Sequence, residues 1–181
     1  MKILVVEPHA DDAYLSVGWH VESLWAEHQV AILTVYSDEK RDAESKVWAD
    51  KVGADHTSLG LPLTNMAEEY DGTTEPKLLE FCTTTAWDVL VIPVGLQHPD
   101  HIKTRETLKH LQAWHYLDTP YCSKIKNAEE MNEALQGSQI VSIAMPHGRK
   151  WRHIPLYKSQ SKFFYFTKPD QKPTHETIIR Y

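Results

Sequence analysis

The chain has 181 residues, with 25 acidic and 19 basic side chains and a formal net charge of -6, and its pI is near 6.0. That balance excludes a general nucleic-acid binder, whose affinity comes from cations set against phosphates. The length suits one domain with a core of its own, and no run approaches the roughly 18 apolar residues of a membrane span. Only Cys82 and Cys122 are present, far apart, so the chain reads as a reduced, soluble, cytoplasmic protein with two buried free thiols rather than a disulfide scaffold.

Lys2 to Val6 (KILVV) is a branched apolar run closed by Pro8, the pattern of a buried parallel strand. Asp12 to Glu27 reads as a helix, Gln29 to Tyr36 (QVAILTVY) as a second strand, and Arg41 to Val52 as a second helix stopped by Gly53. Asp55 to Leu59 is a short third strand. A polar loop from Asn65 to Thr74 leads to a helix over Pro76 to Ala86 and a strong fourth strand, Asp88 to Val94 (DVLVIPV). Ile102 to Tyr116 reads as a helix and Gln139 to Met145 (QIVSIAM) as a further strand. His147 to Ser161 is a helix interrupted at Pro155, and Lys162 to Phe166 (KFFYF) an edge strand. The expected architecture is an α/β, Rossmann-like three-layer sandwich: a mostly parallel sheet of order 3-2-1-4-5 in its main part, with helices on both faces. One domain spans residues 1–167, followed by a loosely packed tail over 168–181, and the aromatic segment Phe163 to Phe166 with that tail suits self-association into a homo-oligomer.

Two short motifs carry the chemistry. Pro8-His9-Ala10-Asp11-Asp12 follows the first strand, and His98-Pro99-Asp100-His101 follows the fourth. His9 and Asp12 are three apart and can converge on one cation, which leaves Asp11 free for proton transfer. His98 and His101 repeat the spacing, so that one ring ligates while the other faces a substrate oxygen. Two imidazoles and one carboxylate suit a zinc ion that keeps a position open for water. Taken singly, each motif has an ordinary reading, since an Asp at a helix start usually caps it. In the order 3-2-1-4, however, the first and fourth strands are neighbours at the switch point. Segments about ninety residues apart thereby meet in the crevice where such sheets bind ligands.

These residues resemble the LmbE-like, or PIG-L, zinc-dependent N-deacetylases of N-acetylglucosaminyl compounds. The family reads approximately Pro-His-Pro-Asp-Asp-Glu after its first strand and His-Pro-Asp-His after its fourth. Two weaker echoes are Arg41-Asp42-Ala43-Glu44, like the family's Arg-x-x-Glu, and Tyr157-Lys158-Ser159-Gln160, like its late Ser-Gln element. The resemblance implies one Zn2+ per chain held by His9, Asp12 and His101. It makes Asp11 the general base, His98 the group that steadies the developing oxyanion, and Asp100 the carboxylate that orients an imidazole. Arg41 is then the contact to a sugar hydroxyl or anionic group, its alternative being a surface pair with Glu44. The implied partner is a small N-acylated amino-sugar-like molecule.

Three departures bear on substrate. Ala10 and Ala13 stand where the family has proline and glutamate, and Leu61 to Asn65 (LPLTN) holds no acidic residue. None removes a metal ligand. Rival substrates of the same centre are a modified nucleoside, an antibiotic intermediate or a thiol conjugate, and the non-enzymatic rival is a metal-binding scaffold. Asp11 and His98 argue against the scaffold, which needs neither. A phospho-receiver reading lacks its Asp at the end of the third strand, and a dinucleotide oxidoreductase lacks the glycine-rich turn. The tryptophans read as core or interface residues, with Trp151 a candidate pocket wall. The basic cluster His147 to His153 reads as a solvated helix face or a subunit contact, its alternative being a contact to a phosphate or carboxylate of the substrate. His20, His28, His56, His110, His115 and His175 read as surface or half-buried residues without partners at ligand spacing.

Overall fold

Strand β1 (Lys2–Glu7) is buried from Ile3 onward because it has helices over both faces. In the computed structural model, which describes residues 1–63, 74–124, 139–145, 150–163 and 175–180, the period-two alternation of the strand sorts its side chains between two cores. Ile3 and Val5 join Tyr14, Trp48 and Tyr157, whereas Leu4 and Val6 join Leu33, Leu78 and Leu108. The first core lies under α1 (Asp12–Trp19) and α2 (Glu39–Val52), the second under α3 (Thr74–Thr84) and α4 (Pro99–Leu108).

β1 pairs in parallel with β2 (Gln29–Tyr36) and with β4 (Val89–Pro93); β2 pairs with β3 (Asp55–Leu61), and β4 with β5 (Trp114–Tyr116). Beyond β5 the sheet turns antiparallel through β7 (His175–Arg180) to β6 (Gln139–Ala144), giving the order β3-β2-β1-β4-β5-β7-β6. The expected order 3-2-1-4-5 therefore holds, but its fifth place belongs to a segment expected to end a helix. α4 stops at Leu108, and the aromatic trio Trp114-His115-Tyr116 extends beside β4, where the Tyr116 hydroxyl donates to the Val6 carbonyl at 3.1 Å. The segment expected in fifth place is instead β6, paired with β7 alone among the described residues.

The last residues depart from the loosely packed tail that was expected. His175–Arg180 lies between β5 and β6, with Ile178, Ile179 and Glu176 all buried. Glu176 explains a second departure, the break in the first helix. At Val17 the backbone leaves helical geometry (φ -133°, ψ 16°), and the chain continues as a π-turn over His20–Leu24 rather than as one helix to Glu27. The amides freed by the break need acceptors. Glu176 accepts from Trp19 N at 2.7 Å and, together with the Val17 carbonyl, from His20 N at 2.9 Å, while His20 Nδ1 sits 2.6 Å from Glu176 Oε2. His20 is thus a buried partner, not a surface residue. After β6, the described residues form two 3₁₀ turns, Lys150–Leu156 and Lys158–Phe163, in place of one interrupted helix. The rest of the expected edge strand, 164–166, lies outside the described residues, as do Thr64, Asn65 and residues 147–149.

Candidate metal centre

The loop after β1 is a tight turn, with the amides of Asp11 and Asp12 both donating to the His9 carbonyl at 2.8 and 3.1 Å. The His9 amide in turn donates to Asp12 Oδ2 at 2.8 Å. Behind the loop, fully buried Glu7 accepts from Ala13 N at 2.9 Å, Thr34 Oγ1 at 2.6 Å and Ser45 Oγ at 2.9 Å. One carboxylate thereby ties β1, α1, β2 and α2 together. Burial pushes its carboxyl up to about 8 against those three donors. Asp11 occupies the N-cap position of α1, yet its side chain makes no capping bond, so the ordinary role of an Asp at a helix start is not what holds it here.

The second motif opens on a left-handed turn, with φ of 81° at Gly95 and 59° at Gln97. Gly95 is required twice over, because a Cβ there would lie 2.9 Å from Arg105 Cβ and 3.1 Å from the His101 carbonyl. His98 is the N-cap of α4, with Pro99 in the first turn, and its Nδ1 accepts from the Asp100 amide at 3.2 Å. That bond occupies the Nδ1 lone pair, so a neutral His98 carries its proton on Nε2. His101 follows one turn later with no solvent exposure.

The fold brings the two motifs into contact as expected. His9, Asp12 and His101 present one ligand atom each, all within 4.8 Å of one another. Asp12 Oδ2 lies 3.3 Å from His9 Nδ1 and 3.0 Å from His101 Nε2. Zinc bonds of about 2.0–2.2 Å arranged tetrahedrally give donor edges of about 3.2–3.6 Å, close to both values. The buried His101 Nε2 has no hydrogen-bond partner among the described residues, and a ring nitrogen aimed at a carboxylate oxygen calls for a positive centre between them. The donor set and its orphaned nitrogen therefore fit a zinc ion. His9, His98 and Asp100 form a second group within the same distance. There Asp100 Oδ2 is 2.8 Å from His9 Nε2 and 3.8 Å from His98 Nδ1: the short contact is an ordinary hydrogen bond, which puts Asp100 against the His9 ring.

The electrostatics separate two neighbouring carboxylates. Burial and the charge of Asp12 raise the Asp11 carboxyl to about 7, with His9 and Arg41 opposing. Burial also disfavours the charge on Asp12, but His101 and His9 overcome it and hold that carboxyl below the usual range. A pair of carboxyls driven apart in this way separates a ligand from a proton carrier. Burial and the proximity of His9 and His101 lower His98 to about 4, so its ring is neutral. Burial opposes charge on His101 too, yet Asp12 and Asp118 raise it to about 10, so without metal a proton fills the gap beside Asp12.

Arg41 lies one turn into α2, half-buried, where its charge reaches Asp11. Its Nε is 3.9 Å from Asp38, a loose pair. The alternative partner is occupied: Glu44 accepts from both the amide and the hydroxyl of Ser159. The two weaker sequence echoes thus bind each other and hold α2, with its Arg41, against the late 3₁₀ turns. Trp151 is a core residue beside Tyr14, with ring centroids 6.5 Å apart, rather than a pocket wall. Sequence reasoning missed Asp118, which bonds His101 Nδ1 at 2.7 Å; no spacing signal marks it, because it follows a strand that was not foreseen. It also missed Glu7, a carboxylate inside an apolar strand, where the oddity itself was the signal.

No protein-family model and no curated protein sequence matches the chain. Solved structures do. The A40926 pseudoaglycone deacetylase superposes with a TM-score of 0.75 at 18% identity, covering 98% of this chain and 96% of that one. The zinc-inhibited form of teicoplanin deacetylase gives 0.72 at 16%, covering 99% and 97%. This chain has the fold of those deacetylases. The same fold also occurs in the 4-carboxy-2-hydroxymuconate hydratase of Pseudomonas putida, with a TM-score of 0.56 at 12% identity over 99% of this chain and 96% of that one. At these identities the likeness is one of fold, and the reaction has to be argued from the side chains.

Proposed function

We propose that the chain is a zinc-dependent amide hydrolase that removes an N-acetyl or other N-acyl group from a small amino-sugar-like molecule. The observation that carries this reading is one carboxylate oxygen set 3.3 and 3.0 Å from two imidazole nitrogens, beside a second carboxylate that caps nothing. His9 Nδ1, Asp12 Oδ2 and His101 Nε2 would hold the metal, leaving a position open. When bound, zinc polarises an amide carbonyl and lowers the pKa of a water to about 7. Asp11 takes the proton of the attacking water and hands it to the leaving nitrogen. The water oxygen joins the acyl carbon as the C–N bond breaks, and a carboxylate and an amine leave. His98 donates its Nε2 proton in a hydrogen bond to the carbonyl oxygen as that oxygen becomes negative. Asp100 holds the proton of His9 Nε2, so the Nδ1 lone pair faces the metal. Arg41, with its loosely engaged guanidinium beside Asp11, binds a hydroxyl or anionic group of the substrate.

The relatives by fold are named as deacetylases of two antibiotic-type compounds, which supports an N-acyl substrate; Ala13 favours one other than a plain glucosaminyl compound. No helix among the described residues is long and apolar enough to cross a membrane. Neither Cys82 nor Cys122 is in a disulfide among the described residues, which suits a reducing compartment, and we place the protein in the cytoplasm. The test is elemental analysis of the purified protein together with amine release from N-acetylated sugars, nucleoside sugars and thiol conjugates, with and without chelator. Zinc near one per chain with chelator-sensitive release is expected. Failure to bind zinc on reconstitution overturns the reading, and bound zinc without release from any member of the panel favours the scaffold.

A further inference from the structure

The carboxylate of Asp118 divides its two oxygens between one histidine of the second motif, His101, and the turn that leads into the other. Asp118 is fully buried, just beyond β5. Its Oδ1 accepts from His101 Nδ1 at 2.7 Å, and its Oδ2 accepts from the Gly95 and Leu96 amides at 2.8 and 3.1 Å. Those amides belong to the left-handed turn that delivers His98, itself closed by a 2.6 Å bond from His98 N to the Leu96 carbonyl. The following amide, Thr119 N, donates to Ser16 Oγ of α1 at 3.1 Å, so Asp118 is anchored to the first motif's helix. We infer that Asp118 is a positioning residue that selects the His101 tautomer, keeping the proton on Nδ1 and the Nε2 lone pair toward Asp12, while fixing the turn that carries His98. This inference rests on the metal-hydrolase reading and deepens it.

The two duties separate cleanly in Asp118→Asn. An amide has one acceptor and one donor end. Two amides of the turn need the acceptor, and turning it away would set NH2 against two N–H groups and strand both donors. The oxygen therefore stays with Gly95 and Leu96, and the NH2 faces His101 Nδ1. Nδ1 must then accept, its proton moves to Nε2, and the lone pair that faces the metal is lost. The fold keeps its turn while the ligand is inverted.

The experiment measures zinc affinity by chelator competition, His101 ring nitrogens by ¹⁵N NMR, and thermal melting of the metal-free protein, for wild type, Asp118→Asn and Asp118→Glu. The expected result is a fall in zinc affinity of about 10–100-fold in Asp118→Asn, with melting close to wild type and the metal-free His101 ring, titrated to its neutral form, protonated on Nε2 where wild type is protonated on Nδ1. Asp118→Glu, which restores an acceptor toward Nδ1, recovers affinity in part. Wild-type zinc affinity in Asp118→Asn, or an unchanged tautomer, overturns the inference without touching the hydrolase reading. Loss of affinity together with collapse of the melting transition also overturns it, since Asp118 would then be holding the fold alone. If wild type binds no zinc, it is the hydrolase reading that fails.

Discussion

Replacing Asp11 by Asn tests the assignment of the proton carrier against the fold's own needs. Asp11 stands at the N-cap of α1 without a side-chain capping bond, so the usual loss of about 0.5–2 kcal/mol for a removed cap does not apply. Asn is nearly isosteric, and the three proposed ligands are untouched. Zinc content and melting should therefore match wild type. Turnover should fall about 10²–10⁴-fold, the ordinary contribution of a positioned base, or about 2.7–5.4 kcal/mol at 1.36 kcal/mol per tenfold. The pH profile gives the independent check. Burial and the Asp12 charge raise the Asp11 carboxyl to about 7, and the base works ionised, so kcat/KM falls as pH drops through that value. A cation at the neighbouring ligands stabilises the carboxylate and moves the limb lower, so it is expected at or below about 7. The assay is amine release across pH 4–9 on zinc-loaded protein, with zinc measured on the same samples. Full turnover in Asp11→Asn would remove the base assignment, and a lowered melting temperature would make Asp11 a structural cap.

Two further outcomes follow from the same contacts. Arg41 lowers the Asp11 carboxyl, so Arg41→Met should raise the acidic limb while zinc binding stays intact, and should raise KM if the guanidinium meets substrate; kinetics on zinc-loaded protein separate the two effects. Glu176→Ala takes the side-chain acceptor from the part-buried Trp19 amide and one of two acceptors from the His20 amide, which also bonds the Val17 carbonyl, a loss of about 1–3 kcal/mol for the one stranded donor. Denaturant unfolding of the metal-free protein measures it, and a change under about 1 kcal/mol would contradict the buried placement of β7.

The parts of the fold legible in the sequence were those fixed by local chemistry and period. Val-rich runs ended by Pro8 and Gly53 marked strands and helix ends to within a few residues, and alternation of strand and helix gave the parallel core with its order. What escaped were elements whose identity is decided elsewhere in the chain. The break at Val17 has no proline to announce it and is sustained by Glu176 from β7, more than 150 residues away. That strand reads as tail because His175 to Arg180 (HETIIR) mixes polar and apolar residues. Both of its neighbours, β5 and β6, are needed before Ile178 and Ile179 become core.

The site divides along the same line. His9, Asp12 and one of the two rings of the second motif could be read from spacing and switch-point topology, the choice of His101 was implied by the family resemblance, and Asp100 lies within that same second motif. Yet an imidazole ligand is defined by two nitrogens, and the second one is set by its partner. His9 has Asp100 at Nε2, leaving Nδ1 toward Asp12; His101 has Asp118 at Nδ1, leaving Nε2 toward Asp12. The two rings reach one carboxylate through opposite nitrogens because carboxylates, which only accept, sit on opposite sides of them. The first member of that arrangement was visible at a sequence distance of one residue from a ligand. The second became visible once β5 was placed beside β4, since only the sheet brings residue 118 under residue 101. A motif can thus name the residues proposed to meet a metal while the ring nitrogens they turn toward one another are set by the tertiary fold.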